Sequence, residues 1–279
     1  MNFTKMHGLG NDYVFVDCRN ERVKEPAKLA RVVSDRHGGI GSDGLILLVP
    51  SDSADVRMVM YNADGSRGEM CGNGIRCVAK YAVEHGIADG PELTVESDAG
   101  IKGAFCNVRQ NRVESVRVDM GGPILDAVSI PTSITADRVV DHPLSIAGVT
   151  YRVTCVCLGN PHSIVFLDDR RQLATIDLAT IGPQFENAAA FPNRINAHFV
   201  HVDSREHITM RTWERGSGMT RACGTGACAA CVAGALTGRT DRRITAELPG
   251  GELTLEWQQT GHVFMTGPAV EVFSGNWPD

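Results

Sequence analysis

Positive charge is in short supply, and that shortage excludes the most. The 279 residues carry 27 Lys and Arg against 33 Asp and Glu, a net charge of −6, with a pI near 5.8. This balance argues against a nucleic-acid partner and against docking on an anionic membrane. Residues 1–18 include Lys5 and Asp12 and lack an apolar core segment, so no signal peptide is expected there. A second pair to match Cys228-x-x-Cys231 is missing, so neither a structural zinc site nor any other metal is expected. Nine cysteines is an odd number, which does not suit a disulfide framework. Thiols of a cytoplasmic protein are the expectation, with Cys155, Cys157, Cys228 and Cys231 as small buried hydrophobes. Low-complexity segments and blocks of like charge are missing too. What remains is a chain that is 43% hydrophobic, ample for packed cores, and long enough for about two domains.

The stretch from Glu214 to Gly238, ERGSGMTRACGTGACAACVAGALTG, organises the rest. After the pair Glu214-Arg215 and a Gly/Ser turn, Cys223 precedes Gly224, Thr225 and Gly226, and no charge follows until Arg239. A run of Ala, Cys, Val and Gly with no polar stripe reads as a helix buried on all sides. It falls short of the ~20 apolar residues that a membrane span needs. Cys223 then sits at the helix N-terminus, where unpaired N–H groups favour an anion and can lower a thiol pKa. Plain core packing is the alternative for such a cysteine.

The chain contains this stretch twice. Residues 69–86 read EMCGNGIRCVAKYAVEHG, and Cys71 lies 152 positions before Cys223. At the same offset Gly72 meets Gly224, Gly74 meets Gly226, Gly86 meets Gly238, and Asn62 meets Glu214. Both copies read as turn, Cys-Gly, helix and a glycine suited to a C-cap. Leu9-Gly10-Asn11 recurs as Leu158-Gly159-Asn160, and Met120-Gly121-Gly122-Pro123 as Met265-Thr266-Gly267-Pro268. Matched motifs in one order argue for duplication of a half-chain unit. Two similar lobes facing each other would bring two cysteine-bearing helix starts to one cleft.

Other segments fit around that frame. Residues 2–18 alternate as a strand interrupted at His7–Asp12, whose glycines suggest a turn where backbone approaches a ligand. Asn11 there reads as a turn residue or as a partner for a bound amino acid. Residues 36–44, RHGGIGSDG, lack the Lys-Ser/Thr of a phosphate loop and precede the apolar LILLV, so a Gly-rich turn beside a cleft is expected. Residues 92–120 and 150–166 alternate as antiparallel strands do. His162 reads as a satisfied structural histidine, or as a catalytic group because it lies beside Asn160 in a repeated turn. Beyond residue 168 a polar stretch leads to FPNRIN and then two strands. Pro249-Gly250-Gly251 splits residues 244–258 into a hairpin, and 265–273 is expected to return to the first lobe. The class is α/β with mostly antiparallel strands and one long buried helix per lobe. The lobes are residues 1–120 with 264–279, and residues 121–263.

KMHGLGNDYVFVD, RHGGIGSDGLI, NADGSRGEMCGNGIRC, GNPH, FPNRIN and ERGSGMTRACGTGACAA together resemble the diaminopimelate epimerase family, from Lys5 to Phe273. The resemblance implies two similar pseudo-symmetric lobes, each a strand-rich, barrel-like shell around a central helix. It implies a cofactor-independent isomerase of lysine and cell-wall biosynthesis that interconverts LL- and meso-diaminopimelate. By position, Cys71 and Cys223 match the family's acid/base cysteines, and His162 and Glu214 the groups that assist them. Asn11, Asn62, Asn160, Asn196, Glu214 and Arg215 match substrate-holding residues. Gly72-Asn73 and Gly224-Thr225 match the backbone donors to the α-carboxylate. A small-molecule substrate is the implied partner, with a homodimer left open. Two positions depart from the family: Gly44, where Gln is frequent, and Met219, where Glu is frequent.

The chemistry stands without the name. Inverting a carbon needs a base on one face and an acid on the other, one thiolate and one thiol, with roles that swap with direction. Without pyridoxal phosphate or a metal, the developing carbanion falls to oriented donors at two helix N-termini. Arg215 offers a fork that matches a carboxylate. Three competitors are a proline racemase-like enzyme, a dithiol redox protein pairing Cys71 with Cys223, and a non-catalytic binding module of the same fold.

Overall fold

A computed structural model describes residues 1–19, 21–68 and 70–278. Glu69 of the EMCGNG motif and Asp279, the last residue of the expected first lobe, lie outside the described residues. The chain divides into two compact units, residues 1–119 with 266–279, and residues 120–265.

In the first unit, Asn2–Gly8 and Asn11–Asp17 form an antiparallel hairpin with Gly8 opposite Asn11. Its two turn residues, Leu9 and Gly10, both have positive φ (57° and 80°), the hand that matches strand twist in a two-residue hairpin. Gly44–Val49 joins Asn11–Asp17 in parallel, Val56–Asn62 is antiparallel to that strand, and Arg67–Gly68 is antiparallel to Val56–Asn62. Glu92–Ser97 then pairs in parallel with Val56–Asn62 and antiparallel with Gly100–Arg109. From the other end of the chain, Val270–Asn276 closes antiparallel on Asn2–Gly8.

In the second unit the same succession of pairings recurs. Val149–Cys157 is antiparallel to Pro161–Leu167, which is parallel to Asn196–Ser204. That strand is antiparallel to His207–Glu214, which is antiparallel to Gly218–Thr220. Arg243–Leu248 then pairs in parallel with His207–Glu214 and antiparallel with Gly251–Trp257. Asn62 and Glu214, one offset apart in the sequence, each end the corresponding strand.

Among the described residues five helices accompany the strands: α1 Pro26–Ser34, α2 Gly72–Glu84, α3 Arg170–Thr175, α4 Leu178–Glu186 and α5 Gly224–Leu236. Helices α2 and α5 are the core pieces. Ile75, Cys77, Val78 and Ala79 of α2 are fully buried, and so is every residue from Ala227 to Ala233 of α5. Alanine and glycine let neighbours come close to α5. An added Cβ on Gly234 would lie 2.3 Å from Thr240 Oγ1, so a bulkier residue could not be housed there without movement. Both helices end alike. Gly86 N–H donates to Val83 O and Ile87 N–H to Ala82 O; Gly238 N–H donates to Ala235 O and Arg239 N–H to Gly234 O. With Gly86 at φ 64° and Gly238 at φ 68°, each is a Schellman cap.

Besides the one long buried helix expected in each lobe, three shorter helices, α1, α3 and α4, form. Their start signals are ordinary ones: Pro26 in the first turn of α1, and Asp169 and Asp177, whose carboxylates accept from Arg171 N–H and Thr180 N–H. The polar composition after residue 168 hid two short helices whose apolar residues, Leu173, Leu178 and Phe185, enter the second unit's core. No helix among the described residues is long and apolar enough to cross a membrane.

Candidate active site

Cys71 is the N-cap of α2, and its Sγ accepts from Gly74 N–H at 3.3 Å. The hairpin turn at residues 9–10 sets Asn11 beside it. Cys71 Sγ donates to Asn11 Oδ1 at 3.4 Å, and Asn73 Nδ2 donates to the same oxygen at 3.2 Å. Asn11 Nδ2 in turn donates to Asp43 Oδ2 at 2.8 Å. Asp43 is held by Arg36, which also pairs with Asp12, whose second partner is Lys5. Burial works to raise the Asp12 carboxyl, but Arg36 and Lys5 outweigh it and hold it below the usual range. The Gly-rich turn of residues 36–44 thus carries the carboxylate that anchors Asn11.

Tyr13 was not legible as a site residue. Its hydroxyl donates to Cys71 Sγ at 3.5 Å from a buried position. Burial, with the neighbouring thiol, pushes the phenol well above its usual value, so it stays a neutral donor. Two donors, Gly74 N–H and Tyr13 O–H, therefore aim at this sulfur, and a thiolate keeps both. A hydrogen bond to a charged group is worth about 1.5–3 kcal/mol at good geometry, and this one is long. Tyr13→Phe is expected to slow alkylation of Cys71 at neutral pH by about three- to tenfold, read by mass spectrometry of the labelled peptide. An unchanged rate would show that the hydroxyl does not govern the sulfur.

Gly44 lies tight against the neighbouring strand. It pairs with Asn62 across the ladder, and an added Cβ would lie 2.2 Å from the Tyr61 carbonyl oxygen. Any side chain at 44 would require this backbone to move. Met219 is 57% exposed in the short strand Gly218–Thr220, where it pairs with Trp213 across the ladder. Asn62 hydrogen-bonds Ser66 through both its backbone N–H and its side chain.

Cys223 is the N-cap of α5 and is 5% exposed, with Thr225 Oγ1 at 3.6 Å. The helix start leads to the expectation of a lowered thiol pKa; the opposite holds. Burial, reinforced by the Glu214 carboxylate, pushes the Cys223 thiol well above its ordinary value, while the Thr225 hydroxyl and Gly226 N–H pull weakly the other way. Magnitudes explain the outcome. A helix N-terminus is worth about 0.3–2 kcal/mol to a charge, whereas full burial can move a titration by up to about 5 pH units, roughly 7 kcal/mol. Glu214 Oε1 accepts from Thr220 Oγ1 at 2.5 Å.

Behind Cys223 runs a chain of polar groups. His162 Nε2 lies 2.8 Å from Asn160 Oδ1, His162 Nδ1 lies 2.9 Å from His198 Nε2, and His198 Nδ1 lies 2.9 Å from Thr212 Oγ1. Both histidines are fully buried. Burial, then the adjoining His198 ring and the Arg215 guanidinium, holds His162 far below its usual value, and burial holds His198 down at about 3, so both are neutral. A neutral imidazole has one N–H. Because Asn160 Oδ1 only accepts, His162 carries its proton on Nε2, His198 donates from Nε2 to His162 Nδ1, and the Thr212 hydroxyl donates to His198 Nδ1. Nothing in the sequence singles out His198, which sits in the continuously buried first half of the strand Asn196–Ser204. Gly226 makes room for it: a Cβ there would lie 2.1 Å from His198 Cε1.

Asn196 is buried, and its amide fastens the turns around it. Its Nδ2 donates to Pro161 O at 2.8 Å and its Oδ1 accepts from Arg215 N–H at 2.9 Å. The Arg215 guanidinium is exposed, with Nη1 donating to Asn193 O at 3.1 Å. Hydrogen bonds therefore join Cys71, Asn11 and Asn73 in the first unit. In the second they join Asn160 with His162, Asn196 with Arg215, and Cys223 with Thr225. Gly72 and Gly224 open the two helices, and neither helix has an acidic residue in its first turn.

Comparison with known proteins follows the same pattern. The family model described as Diaminopimelate epimerase matches residues 3–125 and 154–272. Curated relatives of that name include one from Agathobacter rectalis, 53% identical, with 99% of this chain and 98% of the relative covered. Another from Moorella thermoacetica is 51% identical, over 100% of this chain and 99% of the relative. Among solved structures, a probable proline racemase from Agrobacterium radiobacter aligns with a TM-score of 0.70 at 16% identity, covering 99% of this chain and 92% of that one. A hydroxyproline epimerase from Agrobacterium vitis aligns at 0.67 and 16%, covering 99% and 90%. These two structures share the fold.

Proposed function

Because the chain belongs to the diaminopimelate epimerase family, we propose that it interconverts LL- and meso-diaminopimelate by moving one α-proton between two thiols, Cys71 and Cys223. The observation that carries this reading is the repeated N-cap cysteine, one on each of two buried helices that follow matching strands. One thiolate removes the α-proton and the opposite thiol delivers another to the other face. Cys223, held protonated by burial and by Glu214, enters as the acid. Cys71, with two donors aimed at its sulfur, enters as the base.

The two helix N-termini, with the N–H groups of Gly72-Asn73 and Gly224-Thr225, take the α-carboxylate and the charge that develops on it. Their first turns hold no acid of their own, which leaves that place to a ligand. His162 and Glu214 are the groups set around the acid. Arg215, with its exposed fork, and the asparagines Asn11, Asn62, Asn160 and Asn196 hold the amino and carboxylate groups of the substrate. Asn11 and Asn196 also have structural bonds, so they act by positioning as well as by contact. The reading needs no cofactor and places a small-molecule enzyme in the cytoplasm.

The alkaline limb of turnover has a definite sign. An acid thiol must stay protonated, and the Cys223 thiol is pushed up first by burial and then by Glu214, so activity persists beyond the ordinary thiol range. Glu214→Gln removes the negative neighbour, so kcat/KM should begin to fall at lower pH than in the wild type. A limb that stays put or moves upward would separate Glu214 from the acid. The function itself is tested by offering LL-diaminopimelate, meso-diaminopimelate and proline in parallel and following stereochemistry by chiral chromatography. Interconversion of the first two with proline untouched is expected. Turnover of proline alone would transfer the chain to the racemase reading.

A further inference from the structure

We propose that His162, His198 and Cys223 form a binding site for a borderline-soft divalent cation, zinc above all, whose occupancy withdraws the Cys223 thiol from acid–base use. Binding stands on its own geometry, whereas the consequence for turnover rests on the function proposed above.

The ligand types fit: two imidazoles and a thiol, all buried, are a donor set that zinc favours over the harder cations. The distances fit as well. One ring nitrogen of each histidine and Cys223 Sγ lie within 4.8 Å of one another, and the facing nitrogens, His162 Nδ1 and His198 Nε2, are 2.9 Å apart. Tetrahedral zinc, with Zn–N about 2.0–2.1 Å and Zn–S about 2.3 Å, sets its ligand atoms about 3.3–3.6 Å apart. Entry therefore asks the two rings to part by about half an ångström and the sulfur to turn inward.

The surroundings complete the case. Metal-bound histidines ordinarily have their second nitrogen held by an outer partner. Here His162 Nε2 has Asn160 Oδ1, and His198 Nδ1 has Thr212 Oγ1. Without metal, a single proton on His198 Nε2 occupies the gap between the rings. On binding, that proton is replaced by one on His198 Nδ1, and the Thr212 hydroxyl turns to accept it. The Cys223 S–H gives its proton to solvent, so one proton is released per cation bound and no electron moves. Three protein ligands leave the fourth position for water. Cys223 is the only one of the three with any exposure.

The test uses metal-stripped full-length chain titrated with Zn²⁺ under chelator competition, and with Co²⁺ as a spectroscopic substitute. One equivalent should bind. Co²⁺ should give the visible bands of a four-coordinate site and a near-ultraviolet charge-transfer band of one-thiolate intensity. His198→Gln should weaken binding by about 100-fold or more. Cys223→Ser should abolish the charge-transfer band, and Cys71→Ser should change neither affinity nor spectrum. Wild-type affinity in His198→Gln or in Cys223→Ser, a band of two-thiolate intensity, or failure of the wild type to hold one equivalent would each overturn the site. Should His198→Gln not fold, as judged by circular dichroism, the wild-type spectrum and Cys223→Ser still decide. Bound zinc that leaves turnover intact would keep the site and remove Cys223 from the chemistry, whereas a Cys223-dependent enzyme without the metal would lose the site alone.

Discussion

Cys71→Ala and Cys223→Ala are each expected to lower kcat for diaminopimelate epimerisation by about 10³-fold or more, while Cys18→Ala leaves it unchanged. General acid–base groups contribute about 10²–10⁴-fold each. With one thiol gone, inversion lacks either the removal or the delivery of a proton, so the residual rate should sit at the low end. Neither change should unfold the chain. Both cysteines cap helices whose core residues are untouched, and the deletion removes one sulfur atom from a site at the end of a helix. Turnover within about tenfold of wild type in either variant, with circular dichroism unchanged, would remove that cysteine from the reaction.

Gly226→Ala is the second large effect, and its cause is local. The new methyl would lie 2.1 Å from His198 Cε1, closer than any real contact, so His198 or the first turn of α5 must move. Overpacking of this kind costs about 1–3 kcal/mol. It would also disturb the helix start that carries Cys223 and the Asn160–His162–His198–Thr212 chain, so activity should fall by about 10²-fold, in line with small misplacements of catalytic groups. Removing the obstacle should reverse the sign. In a His198→Ala background the clash is gone, and alanine is the better helix former by about 0.8–1.0 kcal/mol. Denaturant unfolding of the four proteins of that cycle should give a coupling of at least about 1.5 kcal/mol between the two positions, the scale of residues in contact. Additivity would mean that Gly226 is tolerated for some reason other than His198.

Much of this was legible in the chain itself. The offset linking Cys71 to Cys223 carried both helix starts and both Schellman glycines, because caps and turns are written in local residue types. Leu9-Gly10-Asn11 gave the hairpin turn for the same reason. What was not legible depends on packing between residues far apart in the sequence. His198 looks like any residue of a buried strand, and only its position over Gly226 and beside His162 gives it a role. Tyr13 likewise reads as a core aromatic until its hydroxyl is found on Cys71. The raised Cys223 thiol shows the limit of a helix-start argument, since the sequence displays the helix dipole but not the depth of burial that overrides it.

A single-turnover reaction in D₂O tests the two-thiol claim most directly. Protonated LL-diaminopimelate is mixed with excess enzyme, and product and unreacted substrate are separated early for mass analysis. The account predicts one deuterium at the inverted α-carbon of the meso product and none in the recovered LL substrate, because the thiol that delivers is not the one that removed the proton. Product that keeps the original proton, or substrate labelled as fast as product, would mean that a single group works both faces, and the paired-cysteine account would be wrong.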